Sequence, residues 1–147
     1  MPSTQALGPT MTAILSKLRT SVAVTGYVGV RIYPDDNGDA PQIPAYPYVQ
    51  VETAGERPFN TMGGTPDALK WGSVSSIQIR VGSQSRSDAQ ANTITGLIKQ
   101  ALDGQTLAVA GYGSVDVSYE FLVPIKDFVS GVTTREWVST YDVTVHQ

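Results

Sequence analysis

Residues 74–104, VSSIQIRVGSQSRSDAQANTITGLIKQALDG, change hydrophobic period partway along. From Val74 to Val81 the alternation has period two: Ile77, Ile79 and Val81 share one face, and Gln78 and Arg80 take the other. That is the pattern of a half-buried strand. Beyond Ser87 the period becomes helical, with Ala91, Ile94, Ile98, Ala101 and Leu102 in one stripe and Leu97 at its edge. Ser87 and Gln90 have the spacing of a capping box, and Gly104 supplies the left-handed residue that ends a helix.

Downstream the period returns to two. Val115, Val117, Tyr119, Phe121 and Val123 alternate against Asp116, Ser118 and Glu120. A last strand runs from Glu136 to Val145, with Trp137, Tyr141, Val143 and Val145 on one side and Thr140, Asp142 and Thr144 on the other. Consecutive alternating strands suit a hairpin, with residues 124–134 as a connection longer than a tight turn.

Upstream, Leu7, Met11, Ile14, Leu15 and Leu18 recur at helical spacing, with Pro9 near the start and Lys17 and Arg19 in the last turn. A short apolar segment, Val22-Ala23-Val24, stops at Gly26, and residues 28–33 read as a short strand ended by Pro34. Residues 35–39, DDNGD, form a turn by composition. Pro41, Pro44 and Pro47 hold an extended link into Tyr48–Thr53, where Val49 and Val51 share a face. Residues 54–70, punctuated by Gly55, Pro58, Gly63, Gly64 and Pro66, read as a long loop.

The sum is one α+β domain over residues 1–147. A mainly antiparallel sheet of four strands packs its apolar face under two helices, with long loops between. The expected core is Leu15, Leu18, Val49, Val51, Ile77, Ile79, Val81, Ile94, Ile98, Leu102, Val117, Tyr119, Trp137 and Val143.

Composition excludes several functions. The 10 basic and 13 acidic residues leave a net charge of −3, and no Lys/Arg cluster offers a phosphate-binding groove. The absence of cysteine removes disulfides, zinc–thiolate sites and thiol catalysis. No apolar run approaches the roughly 20 residues needed to span a bilayer. The first residues, MPSTQ, lack the basic and apolar regions of a signal peptide, which points to the cytoplasm or an assembly formed there.

Reaction chemistry is equally sparse. The single histidine, His146, stands one residue from the end, where nothing would hold it for catalysis. The acidic run 35–39 resembles the opening of a calcium loop, but Ala40 stands where the loop needs glycine and Tyr46 where it needs a bidentate glutamate. The glycines at 63–64 lack a following Lys-Ser/Thr, and those at 111 and 113 precede a strand rather than a helix. No carboxylate pair stands out as an acid–base couple. No catalytic, cofactor-binding or metal-binding residue is therefore assigned, and no cofactor is expected.

Function is left to surfaces. Arg57, Phe59 and Met62 on the 54–70 segment are large side chains with no local core to enter, and their types are enriched at interface centres. Ile125, Lys126 and Phe128 on the 124–134 segment pose the same question.

The order of segments carries a resemblance. An N-terminal helix and Val22-Ala23-Val24 precede VRIYP at 30–34 and PYVQV at 47–51. After the long loop come SIQIRV at 76–81, SRSDA at 85–89, ALDG at 101–104 and REWVSTYDV at 135–143. Each motif is short, and the order gives the specificity. The chain resembles the tail completion, or tail terminator, family of long-tailed bacteriophages. The resemblance implies a non-enzymatic structural protein of the virion that forms a ring, usually a hexamer, at the head-proximal end of the tail tube. Its implied partners are further copies of itself, the major tail tube protein and a head-completion or connector protein. DNA would pass through the lumen without specific binding, and no membrane is involved. Assembly would take place in the host cytoplasm. The alternatives are another component of the head–tail neck, or a small ligand-binding or enzymatic α+β domain.

Overall fold

The structure is a computed structural model, and it describes residues 7–34, 45–60, 70–85, 87–109, 114–129 and 131–146. Among them are three helices: α1 (Leu7–Thr20), α2 (Val22–Val28) and α3 (Ala89–Leu102). The strands are β1 (Ile32–Pro34), β2 (Tyr48–Asn60), β3 (Lys70–Ser83), β4 (Thr106–Leu107), β5 (Ser114–Val129) and β6 (Val132–His146). They form one six-stranded sheet in the order β1-β2-β3-β6-β5-β4. Only the β1–β2 pair is parallel.

The expectation of four strands under two helices is thus corrected to six strands and three helices. The segment beginning at Val22 is a helix, capped by Ser21, whose hydroxyl accepts from the Val24 N–H at 3.4 Å. It buries Val24 and Val28. Helix α2 therefore absorbs the first residue of the strand expected over 28–33. Gly29, at φ +60°, stops the helix, and β1 starts only at Ile32.

The larger corrections fall on the two expected loops. Residues 54–60 continue β2 and pair with β3 as far as Asn60 opposite Lys70, past a register shift between Thr53 and Gly55. Most of the 124–134 segment is also strand. The β5–β6 ladder runs unbroken from Phe121 opposite Thr140 to Val129 opposite Val132. Gly131, at φ +80°, closes the turn in the left-handed region that glycine tolerates. Prolines misled the sequence reading at both places. Ladder alternation turns the missing N–H of Pro58 and of Pro124 away from the neighbouring strand, so neither breaks a pair.

The core lies between the helices and one face of the sheet. Ile77, Ile79 and Val81 of β3 meet Ile94, Ile98 and Leu102 of α3 and Ile14 and Leu18 of α1 in one buried cluster. All the expected core residues are buried except Tyr119, which packs partly exposed against the cluster. The capping box does not form: Ser83 Oγ donates to Gln90 Oε1 at 2.7 Å, and Asp88 takes the N-cap position without a side-chain capping bond. Gly104 does hold the left-handed position after α3, at φ +71°.

Candidate assembly surface

Strand β5 changes face at a single residue. Up to Tyr119 it pairs in step with β6, Val115 opposite Val145, Val117 opposite Val143 and Tyr119 opposite Tyr141. Val115 and Val117 enter the core. The register then slips, so that Phe121 stands opposite Thr140 and Glu120 is the extra residue of a β-bulge. The slip reverses the side-chain phase. Phe121, Val123 and Ile125 project from the helix-free face, exposed by 54%, 43% and 37%, beside Val138 of β6. The alternation that sets Phe121 and Val123 on one face with Val115 and Val117 is broken by the slip, and the two lie at the surface.

Beyond Arg135, which pairs with the last residue of β3, the β5–β6 hairpin projects past the rest of the sheet. A polar clamp holds its base. Arg135 Nε donates to Asp88 Oδ1 at 2.7 Å, a second Arg135 nitrogen donates to the Ser85 carbonyl, and Lys126 Nζ donates to Asp88 Oδ2 at 3.1 Å. The Arg135 guanidinium, then the Lys126 ammonium, hold the Asp88 carboxyl below its ordinary pKa. Trp137 Nε1 donates to Asn92 Oδ1 at 2.8 Å, tying the same strand to α3.

The helix-free face also carries a charged cluster. Arg80 Nε donates to Glu52 at 3.0 Å and a terminal nitrogen of Arg80 donates to Glu136. Burial opposes the Arg80 charge, but the bonds to Glu52 and Glu136 outweigh it and raise its pKa. Tyr48 lies flat in the hollow over Gly82, where an added Cβ would meet its ring at 2.1 Å. Burial, and next the Glu136 charge, push the Tyr48 phenol up to about 12. These groups are fully engaged with one another, as a structural network is. Among the described residues no group of three acidic or histidine side chains is placed to hold a metal ion. No helix among them is long and apolar enough to cross a membrane.

The residues singled out from sequence fall into distinct places. Arg57 and Phe59 lie on β2, opposite Val74 and Gly72, rather than in a loop; their side chains lie outside the described residues. Met62 and the acidic run 35–39 lie outside the described residues altogether. Lys126 belongs to the Asp88 clamp, with its ammonium 5.9 Å from the Trp137 ring centre. Phe128, near the hairpin tip, is 72% exposed. The β2–β3 and β5–β6 hairpins point from opposite ends of the sheet, because β3 runs antiparallel to both β2 and β6. The structure therefore does not bring Arg57 and Phe59 together with Lys126 and Phe128.

Sequence reasoning missed Phe121, Val123, Tyr27 and Val30 as surface residues, the last 91% exposed. A glutamate at a bulge leaves no mark on an alternating pattern. Tyr27 and Val30 stood in or beside an expected strand.

Helices cover one face of the sheet, and the other carries an exposed apolar stripe along β5, a surface suited to contact with a neighbour. The model of the family described as tail completion protein gp17 matches residues 12–145. The chain belongs to that family of bacteriophage virion structural proteins. Its fold is similar to that of a chain in the virion of a native gene transfer agent particle, with a TM-score of 0.71 and 18% identity, covering 99% of this chain and 100% of that one. A second solved chain is similar at a TM-score of 0.59 and 13% identity, over 95% of this chain and 96% of that one. No curated protein matches.

Proposed function

We propose that this chain is a structural protein rather than an enzyme, capping the head-proximal end of a phage tail tube as a ring that stops tube growth and forms the tail side of the head–tail joint. The observation that carries the reading is the family match over residues 12–145. A cap must meet two different neighbours along the tail axis. The two long hairpins, pointing from opposite ends of the sheet, supply two separate docking tips. Arg57, Phe59 and Met62 are proposed as contacts for one neighbour and Lys126 and Phe128 for the other. One tip meets the tube protein and the other a head-completion or connector protein. Lys126 contributes by holding the hairpin on Asp88, and Phe128 is the exposed anchor. Six copies of a −3 chain carry about −18, which lets DNA pass along a channel without adhering. Assembly takes place in the host cytoplasm, and the finished site is the virion.

The test is tube growth. Purified tube protein is polymerised with and without the chain and imaged by negative stain. The expected outcome is arrested tubes with extra density at one end. Tubes that elongate unchanged in the presence of excess chain would sink the capping role. Phe128→Ala is expected to fold normally and lose end binding.

A further inference from the structure

Among the described residues, the exposed large apolar side chains fall into two groups. One comprises Val22, Tyr27 and Val30, on α2 and the turn into β1. The other lies along residues 121–132, on β5 and the start of β6. Strand β1 is one edge of the sheet. The other edge is β4, but it covers only Val115 and Asp116, so from Ser118 onward β5 has no outer strand neighbour among the described residues. Val30, which leads into β1, and the residues on β5 therefore mark opposite edges.

They also lie at the same level. Val30 stands two residues before Ile32, which pairs with Val49, and the register continues across Val81 and Trp137 to Pro124. Val30 is thus level with the stretch of β5 that holds Ile125 and Lys126.

Charges outside the ion pairs stand at both edges, basic at β1 and mainly acidic at β5, where Lys99 over the Tyr119 ring is the basic exception. At the β1 edge, Arg19 Nη2 donates to the Ile32 carbonyl at 3.0 Å and Arg31 Nε to the Pro47 carbonyl at 2.7 Å. Neither guanidinium takes part in an ion pair among the described residues. At the β5 edge, Glu120 and Asp127 are exposed and likewise stand outside those pairs.

From these observations we infer that the β5 edge of one copy docks on the β1 edge of the next. Phe121, Val123 and Ile125 meet Tyr27 and Val30, and Glu120 and Asp127 face Arg19 and Arg31. The occupant is a second copy of this chain, because one chain carries both complementary halves. An interface between two different patches of the same chain is heterologous, and it repeats until rotation closes a ring. The contact is made by side chains. Pro124 turns its missing N–H toward the open edge, so a strand added there would lack a donor, the device by which natural sheets resist edge-to-edge extension. The inference deepens the ring reading above, and its test needs no tail.

Two variants each block one edge: Tyr27→Glu with Val30→Glu, and Phe121→Glu with Ile125→Glu. All four positions are exposed, and circular dichroism and thermal melting check that both variants fold. Assembly is followed by sedimentation velocity from about 10 μM to about 1 mM, the range over which weak contacts fill. Wild type is expected to form a closed oligomer. Each variant alone should stay monomeric, losing at least about tenfold in association. Mixed, the variants still share one intact pair of edges, so they should form a one-to-one dimer that grows no further. A monomeric wild type, a variant that assembles alone, or a mixture that stays monomeric overturns the inference. Tube capping is scored separately. Rings that leave tubes uncapped would sink the capping role and keep the contact; capped tubes with a monomeric mixture would do the reverse.

Discussion

The two halves of β5 have the same spelling and opposite fates. Before Glu120, every second residue is apolar and buried, as at Val115 and Val117. After it, every second residue is still apolar, at Phe121, Val123 and Ile125, yet all three are exposed. One extra residue against β6 separates the halves. The first half holds the molecule together, and the second sets its apolar side chains on the surface. A bulge lets one strand do both, because it reverses the side-chain phase without ending the ladder.

The largest expected effect comes from making the same change in each half. Val117→Asp buries a carboxylate in the core without a partner and should cost about 3–5 kcal/mol, enough to unfold a domain of ordinary stability. Val123→Asp, on a side chain already 43% exposed, should change the stability of the free chain by less than about 1 kcal/mol. Chemical denaturation of both variants measures the difference. Equal losses would erase the distinction between the halves.

Deletions probe the bulge itself. Removing Glu120 leaves Tyr119 opposite Tyr141 and Phe121 opposite Thr140, so every other side chain keeps its face. The expected cost is below about 2 kcal/mol. Removing Ser118 absorbs the bulge differently: Tyr119 moves to the helix-free face and Glu120 takes the core position opposite Tyr141. That variant should lose about 3–5 kcal/mol, as for any unpaired buried charge. If the two deletions cost the same, Glu120 is not the extra residue.

A smaller effect concerns how the second half is held. Asp88 accepts from Arg135 and Lys126, and these bonds depress its pKa. A depressed carboxyl stabilises the fold above its unfolded pKa and loses that contribution as pH falls through the lower folded value. Amide exchange across residues 126–134 should therefore be faster in Asp88→Asn than in wild type at neutral pH. The two should converge in acid, once wild-type Asp88 is protonated. A difference that persists at the lowest pH would assign the effect to packing rather than to the ion pairs.

The same contrast explains what was legible in the sequence. Strand β3, helix α3 and the later part of β6 read correctly because burial on one face imposes an uninterrupted period. Thirteen of the fourteen expected core residues are buried, Tyr119 being the exception. The unread parts share one physical cause: backbone events that side-chain period does not record. Residues 54–60 follow a register shift and contain Gly55 and Pro58, so they spell a loop while pairing as a strand. Residues 124–129 begin with a proline whose missing N–H faces outward. At Val22–Val28 only two side chains are buried, too few for a helical stripe to stand out. Along the exposed stretch of β5, only Ile125, Lys126 and Phe128 stood out in the sequence, because they fell in an expected loop. Phe121 and Val123 were hidden by their own regularity.

The smallest expected effect lies where the halves meet. Tyr141 is fully buried beneath the last paired residue before the bulge, its ring edge-on to Tyr119 at a centroid distance of 5.5 Å. Its hydroxyl has no hydrogen-bond partner among the described residues. Burial first, and then Tyr119 and Asp103, raise its pKa above the ordinary tyrosine value. A raised folded pKa contributes stability that is fully present below the unfolded value near 10 and is lost as pH rises through the folded one. Tyr141→Phe removes the desolvated hydroxyl and keeps the ring contact. Stability at neutral pH should stay level or rise by up to about 1 kcal/mol, since an unsatisfied buried group is removed with no bond broken. The alkaline loss of stability should also shrink in the variant. A loss exceeding about 1 kcal/mol at neutral pH would mean that the hydroxyl is bonded, with ordered water the natural partner. The junction of the two halves would then be a polar joint rather than the dry end of the core.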